Sequence, residues 1–363
     1  MRQRKADSWK ILFRRLPACA LAVFVLSASG FARADEVLPT PLPEHITAAD
    51  HLEIDDRFEE LSFYTVTFRN TRAYTPEMFN PGKVTESDYI QSESGSAGDD
   101  WYHYRYEDDS ELIIPGNTEL IYGSRDYERY SQLLTYLDNA GISAEERETA
   151  PYPLQDALER SNSLFDRLHI GNLVMDRAVA LPSSRIRALT DDMKRFYSGA
   201  QKLYCFDSFP DEIGAWYLTF RQELSGIRSA GVPQVRIVLT GDGTALLELN
   251  RIIDHVNDDY ELTAAATWQD AVRLFTATHE QKSSESELYS ESFEISRINI
   301  AYDYEMPRDD SATLDAKVFP CWQIEGSQEI TLAEGPEIHN PGTKIIPFSE
   351  VYSIPDGKKN INW

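Results

Sequence analysis

The stretch VRIVLTGDGTALLELN, residues 235–250, constrains the fold more than any other part of the chain. Two apolar runs flank Gly241-Asp242-Gly243. Asp-Gly between such runs is the usual hairpin signal, because a type I′ turn needs positive φ at both central residues. Two chemical readings compete with it. A phosphate loop presents several free amides leading into a helix, yet Thr244 to Asn250 continues as strand-like sequence. A calcium loop needs acids at alternate positions and a closing glutamate. Asp242 stands alone, with no carboxylate at positions 240, 241, 243 or 244. The expectation is a ribbon that bends here, and not a ligand loop.

Other segments extend that pattern. LSFYTVTF (61–68) is β-branched and aromatic and reads as a strand. TESDYIQSESGSAGDD (85–100) reads as a loose surface loop, and SSESELYSESFE (283–294) as an acidic, serine-rich connection. In 101–124, Tyr102, Tyr104 and Tyr106 alternate with Trp101, His103 and Arg105 at strand period, before a turn at Pro115-Gly116-Asn117. Tyr127, Tyr130, Leu133, Leu134 and Leu137 then share a helix face, stopped by Asn139-Ala140-Gly141. Leu154, Ala157, Leu158, Leu164, Phe165 and Leu168 form the apolar stripe of a helix over 153–169. Residues 183–199 form a further helix, and AWYLTFRQEL (215–224) a strand. Thr267 caps a helix with Asp270 three residues on, and Trp268, Ala271, Val272 and Phe275 line one face. Strands fill 295–304, 316–324 and 344–354.

Hairpin then helix occurs twice, at 101–138 and at 235–277. The predicted class is therefore α+β: antiparallel β-meanders, each packed by an amphipathic helix, in two related units. The expected division is 1–34, 35–150 and 151–363. Pro39, Pro41 and Pro43 make 35–44 an extended lead-in.

The first 34 residues read as a signal peptide. Arg2, Arg4, Lys5, Lys10, Arg14 and Arg15 form the positive region, Leu16 to Leu26 the apolar core, and Ala32-Arg33-Ala34 the cleavage site. An uncleaved anchor is the alternative. Cys19 lies near the start of the apolar core, with most of the apolar run after it instead of before it, which argues against lipidation. No later apolar run is long enough to span a bilayer, so the expected location is secreted or extracytoplasmic after cleavage near Ala34. The chain carries a formal charge of −25, and without the leader 28 basic residues face 59 acidic ones. That excess repels nucleic acid and anionic lipid. Cys205 and Cys321 remain in the mature chain; an oxidising compartment would let them form a disulfide, while buried cysteines also act as small hydrophobes. No CxxC and no histidine pair at ligand spacing marks a metal site.

DALERSNSLFDRLHI (156–170), VRIVLTGDGTALLEL (235–249), ATWQDAVRLF (266–275), INIAYDYEM (298–306), KVFPCWQIEG (317–326) and VYSIPDGKK (351–359) follow one another. This order resembles extracytoplasmic bacterial regulatory modules of the PepSY and YycH/YycI kind. The resemblance implies a non-catalytic module over about 150–363 that modulates a partner such as a peptidase or a sensor kinase. Members of the YycH/YycI kind are membrane-anchored, whereas this leader reads as cleavable. FYTVTF (63–68) and WYHYRYEDDSELIIPGNTELIYGS (101–124) resemble the opening strands of LolA-like lipoprotein carriers, which would imply an apolar ligand.

Signatures of catalysis are absent from the sequence: there is no HExxH and no GxSxG, and seven histidines are scattered. Asp254-His255 and His279-Glu280 set an acid beside a histidine, but sequence neighbours on a strand or helix face different ways. The acid pairs at 99–100, 108–109, 191–192, 258–259 and 309–310 could each give one member of a hydrolase dyad acting on glycan or peptide. Glu107-Asp108-Asp109 could hold calcium weakly. Neither outweighs solvated loops in so acidic a chain. The aromatics Trp101, Tyr102, Tyr104, Tyr106, Phe319 and Trp322 are the candidate binding surface, unless a second layer covers them. Together these point to an exported, non-catalytic module that needs no cofactor or metal and binds or regulates another extracytoplasmic protein.

Overall fold

The computed structural model describes residues 42–55, 61–90, 100–125, 127–139, 151–197, 214–261, 266–283, 289–305, 314–332 and 342–354. Its elements in chain order are β1 (Ile46–Asp55), β2 (Ser62–Phe68), β3 (Val84–Ile90), β4 (Trp101–Tyr106), β5 (Glu111–Ile114), β6 (Glu119–Gly123), α1 (Tyr127–Asn139) and α2 (Leu154–Arg167). Then follow β7 (Leu173–Leu181), α3 (Ser183–Tyr197), β8 (Ala215–Leu224), β9 (Ile227–Arg228), β10 (Val235–Thr240), β11 (Gly243–Asn250) and β12 (Ile253–Glu261). The last are α4 (Trp268–Ser283), β13 (Tyr289–Glu305), β14 (Asp315–Leu332) and β15 (Gly342–Ser353). The signal-peptide segment, Cys205 and the tail beyond Ile354 lie outside the described residues. Among the described residues no helix is long and apolar enough to cross a membrane.

The expected α+β class of helix-packed meanders is not what forms. Fifteen strands against four helices, among the described residues, make the protein mostly β, built on two large sheets. The nine-stranded sheet runs β3-β4-β5-β6-β11-β10-β8-β7, with β9 attached to β8. Its central strands are covered on both faces. From α2 and its C-cap, Ala157, Leu164, Phe165 and Leu168 pack on Leu112, Ile114, Leu218, Phe220, Ile237 and Leu247. On the opposite face, Leu133, Leu134 and Leu137 of α1 and Ile186 and Leu189 of α3 pack on Val179, Tyr217, Val238 and Leu246. This is why the first six residues of β8 are all buried and its sequence lacks alternation. A helix on one face could not bury such a strand, so the one-helix, one-meander unit fails for a physical reason.

The six-stranded sheet runs β1-β13-β14-β2-β12, with β15 attached to β14. One edge of β14 serves two strands in succession. Asp315–Val318 pair with β2, and Cys321–Leu332 pair with β15. Trp268, Ala271, Val272 and Phe275 of α4 cover one face, against Phe293, Ile295, Ile298, Trp322, Ile324 and Tyr352. The two hairpins assigned to separate units share the other sheet, joined where β6 pairs with β11. Both sheets draw strands from either side of residue 150.

The sheets meet where Ser229 bridges Tyr302 and Ala230 N donates to Tyr302 O at 2.6 Å. Tyr64, Val66, Phe68, Tyr302, Tyr304 and Val318 fill that joint.

Candidate functional site

At the reversal between β10 and β11, Thr240 pairs with Gly243, leaving exposed Gly241 and Asp242 as the corner. The turn is not type I′. Positive φ falls on Gly243 (142°) alone of the three, and the register slips between Val238 and Leu239. Ala245 is the extra residue, and its carbonyl accepts from Ser124 N at 2.9 Å. Arg160 of α2 donates to the carbonyls of Thr240 at 2.9 Å and Gly241 at 3.2 Å, and its guanidinium lies 5.3 Å from the Tyr152 ring centre. Tyr152 OH in turn donates to Leu239 O at 3.0 Å. The backbone carbonyls of Leu239, Thr240 and Gly241 are thus engaged by the protein's own side chains, which suits a docked bend.

The aromatic strand divides as its alternation requires. Tyr102 and Tyr104 are half-buried and Tyr106 is buried on the α2 side, where Tyr106 OH donates to Pro76 O at 2.7 Å. Trp101 lies on the opposite face and is exposed (48%). Phe319 is half-buried and Trp322 is buried in the α4 core, its Nε1 donating to Ala266 O at 2.9 Å. A second layer therefore covers Tyr106 and Trp322, and the six aromatics are not one surface.

What gathers around Trp101 instead comes from β3, which occupies part of the segment expected to be a loop. Ile90 pairs with Trp101 and Tyr89 with Tyr102. The rings of Tyr89 and Tyr102 are 5.1 Å apart, and Arg72 stands 5.4 Å over Tyr102. Arg72 also donates to Asp100 O at 2.9 Å, and Tyr89 OH donates to the Asp100 carboxylate. That bond to a carboxylate, with a little desolvation, raises the Tyr89 phenol above its ordinary pKa. Tyr89 and Ile90 are 54% and 55% exposed. Every side chain from Thr85 to Ile90 is exposed, because β3 is the outermost strand of its sheet.

Outer strands of native sheets are blunted by bulges, prolines or charge, since an open row of amides and carbonyls recruits another chain. Four other long outer strands among the described residues are interrupted. Register shifts fall within β1 between Ala48 and Glu53, within β7 between Met175 and Arg177, and twice within β12. In β15, Pro347 removes a donor at mid-strand. In β3 the register shifts once, between Val84 and Glu86, and the run from Glu86 to Ile90 beyond it has neither a bulge nor a proline.

Titratable groups gather in two further places. A cleft of about 350 Å³ between the sheets is lined by Asp55, Asp176, Glu223 and Glu325 and by Arg221, Arg228 and Arg297, among others. Asp176 pairs with Arg221 at 2.9 Å, Glu223 with Arg228 at 3.4 Å, and Glu325 with Arg297 at 3.9 Å. Burial raises the Glu325 carboxyl above its ordinary value, against the pull of Arg297 and Arg221. Beneath α4, His279 Nε2 lies 3.1 Å from Glu350 Oε1, and its Nδ1 lies 3.9 Å from Glu291 Oε1. Phe275 and Phe293 pack on that ring, and His279 is buried among the described residues.

Several sequence expectations change here. Asp254 and His255 do meet, at 3.1 Å, because Asp254 is the extra residue of a bulge. The Asp108 carboxylate accepts from Ser110 N, Ser110 Oγ and Asn80 Nδ2, so it holds the β4–β5 turn. Cys321 is a buried thiol whose Sγ donates to Ala301 O at 3.3 Å, and Cys205, its expected disulfide partner, lies outside the described residues. Among the described residues no three His, Cys, Asp or Glu side chains come together as a cation site requires.

No family model matches the chain, and no curated protein matches it. Among solved structures it is similar to an uncharacterized protein from Eubacterium rectale, with a TM-score of 0.57 and 10% identity over 89% of this chain and 92% of that one. At that identity the likeness is one of fold.

Proposed function

We propose that this is an exported, non-catalytic module that binds or regulates another extracytoplasmic protein, and that it docks its partner at the β3–β4 edge. Residues 1–34 supply the case for export. One observation supports the docking site: an outer strand without bulge or proline from Glu86 to Ile90 carries Tyr89 and Ile90 beside Trp101, all about half exposed or more. Exposed aromatics beside open backbone groups give a partner both area and directional hydrogen bonds. The carboxylates of the inter-sheet cleft favour catalysis less, since Asp176, Glu223 and Glu325 each face an arginine.

A photo-crosslinking residue at Ile90, with a control at exposed Val232, tests this in the native envelope. The expected result is a specific adduct from position 90 alone, lost when Trp101→Ala is added. Identical adducts from both positions, or none from position 90, would end the proposal.

A further inference from the structure

We infer that the β3 edge takes an extended segment of another protein as an added strand, and that this segment carries lysine or arginine opposite Glu86 and Asp88. The inference rests on the β3–β4 docking site proposed above and specifies its occupant. Along one face of the edge lie the pairs Glu86/Arg105, Asp88/His103 and Ile90/Trp101. Arg105 is shared between Glu86 at 3.2 Å and Glu111 at 3.1 Å, and His103 Nε2 lies 3.0 Å from Glu111 Oε2. One guanidinium thus serves two carboxylates, while Asp88 has no ion-pair partner among the described residues. The outward row keeps an excess of negative charge.

That excess also guards the run from Glu86 to Ile90, which follows the register shift between Val84 and Glu86. Acidic side chains on an outer strand repel a second acidic strand and admit a basic one. A second copy of the chain is therefore a poor occupant. Antiparallel pairing centred on Ser87 would set Glu86 directly across from Asp88 of the other copy, twice over, and like charges so placed are destabilising. A partner strand with basic residues at alternate positions, followed by an apolar one, meets Glu86, Asp88 and Ile90 in turn. On the other face it lies beside Ser87 and Tyr89, which a neutral or aromatic residue suits.

The test uses the full chain and two synthetic peptides, KTKYVYKTK and ETEYVYETE, whose patterns read the same in either direction. The lysine peptide is expected to bind, to slow amide exchange at residues 85–90, and to weaken as salt rises. Glu86→Gln/Asp88→Asn leaves the buried packing untouched and should weaken it by about tenfold. Glu86→Lys/Asp88→Lys should reverse the preference toward the glutamate peptide. Equal binding of both peptides, binding that leaves 85–90 unprotected, or a dimer of the chain that protects those same amides would each overturn the inference. A partner crosslinked at Ile90 yet indifferent to both charge variants would overturn the basic strand and keep the docking site. Failure to crosslink any partner there would remove both.

Discussion

Two glycines carry backbone conditions that other residues cannot meet. Gly243 sits at φ 142° with no atom near the place of a Cβ, so conformation and not space requires it. Gly243→Ala should cost about 1–2 kcal/mol in a urea melt; a cost below the scatter of the melt would mean that the corner relaxes. At Gly326 space decides, since a Cβ would lie 2.0 Å from Glu294 O beside the bulge at Ser296. The sequence revealed the first glycine through its Asp-Gly setting, though it expected positive φ at Asp242 as well as at Gly243. It could not reveal the second, whose neighbour is remote in sequence. Glu325 gives a pH prediction. Its folded pKa is raised by burial above the ordinary 4.5, so the folded state holds the proton more tightly than the unfolded chain does. Its contribution is most favourable below 4.5 and is lost as pH rises through the folded value. Glu325→Gln should therefore lose less stability than the parent over that interval and be more stable at neutral pH. Urea midpoints measured against pH would show it, and parallel curves for the two proteins would refute it.

Elements were legible in proportion to how one-sided their burial is. The stripe of α2 faces one core, and its period shows plainly. The start of α4 was legible too. Thr267 N donates to Asp270 Oδ2 at 2.9 Å while Asp270 N donates to Thr267 Oγ1 at 3.3 Å, a reciprocal cap. Bonds from the Thr267 backbone and hydroxyl hold the Asp270 carboxyl below its usual range, so the cap weakens as pH falls through that lowered value. Thr267→Ala should cost about 1 kcal/mol, read as a lower thermal midpoint; an unchanged midpoint would show that packing alone fixes α4. By contrast β3 has both faces in solvent, so its polar sequence carries no alternation and resembles a loop. The opening of β13 was missed for another reason: Tyr289 to Glu294 pair with Gln328–Leu332 and Ser327 inside what reads as a serine-rich connection, and Phe293, buried under α4, is flanked there by serine and glutamate. Docking surfaces on outer strands are hard to see in sequence for this reason: exposure removes the periodic signal.

Sheet membership belongs to the whole molecule and was not legible. Thr67 bonds Asp315 across 248 residues, and no local pattern names such a partner. The same is true of the joint between the sheets, which depends on two glutamines that read as ordinary polar positions. Gln234 is buried, and its Oε1 accepts from Gln222 N at 3.1 Å and Ser229 Oγ at 2.7 Å. Its Nε2 donates to Tyr304 OH at 2.8 Å, on the other sheet. Gln222 Oε1 accepts from Ile253 N at 2.6 Å, at the start of β12. Both polar atoms of the Gln234 side chain are therefore used, and one of its bonds crosses to an element that local sequence does not connect. Replacing it with leucine keeps the volume but leaves an amide and two hydroxyls buried with fewer partners, at about 1–3 kcal/mol for each one that water cannot reach. Gln234→Leu should lower stability by about 2–4 kcal/mol and speed amide exchange in both β10 and β13, because the bond it removes belongs to both sheets. If exchange quickens in the nine-stranded sheet alone, the glutamine serves its own strand and the sheets are held together by the apolar contacts of Tyr64, Phe68, Tyr302 and Tyr304.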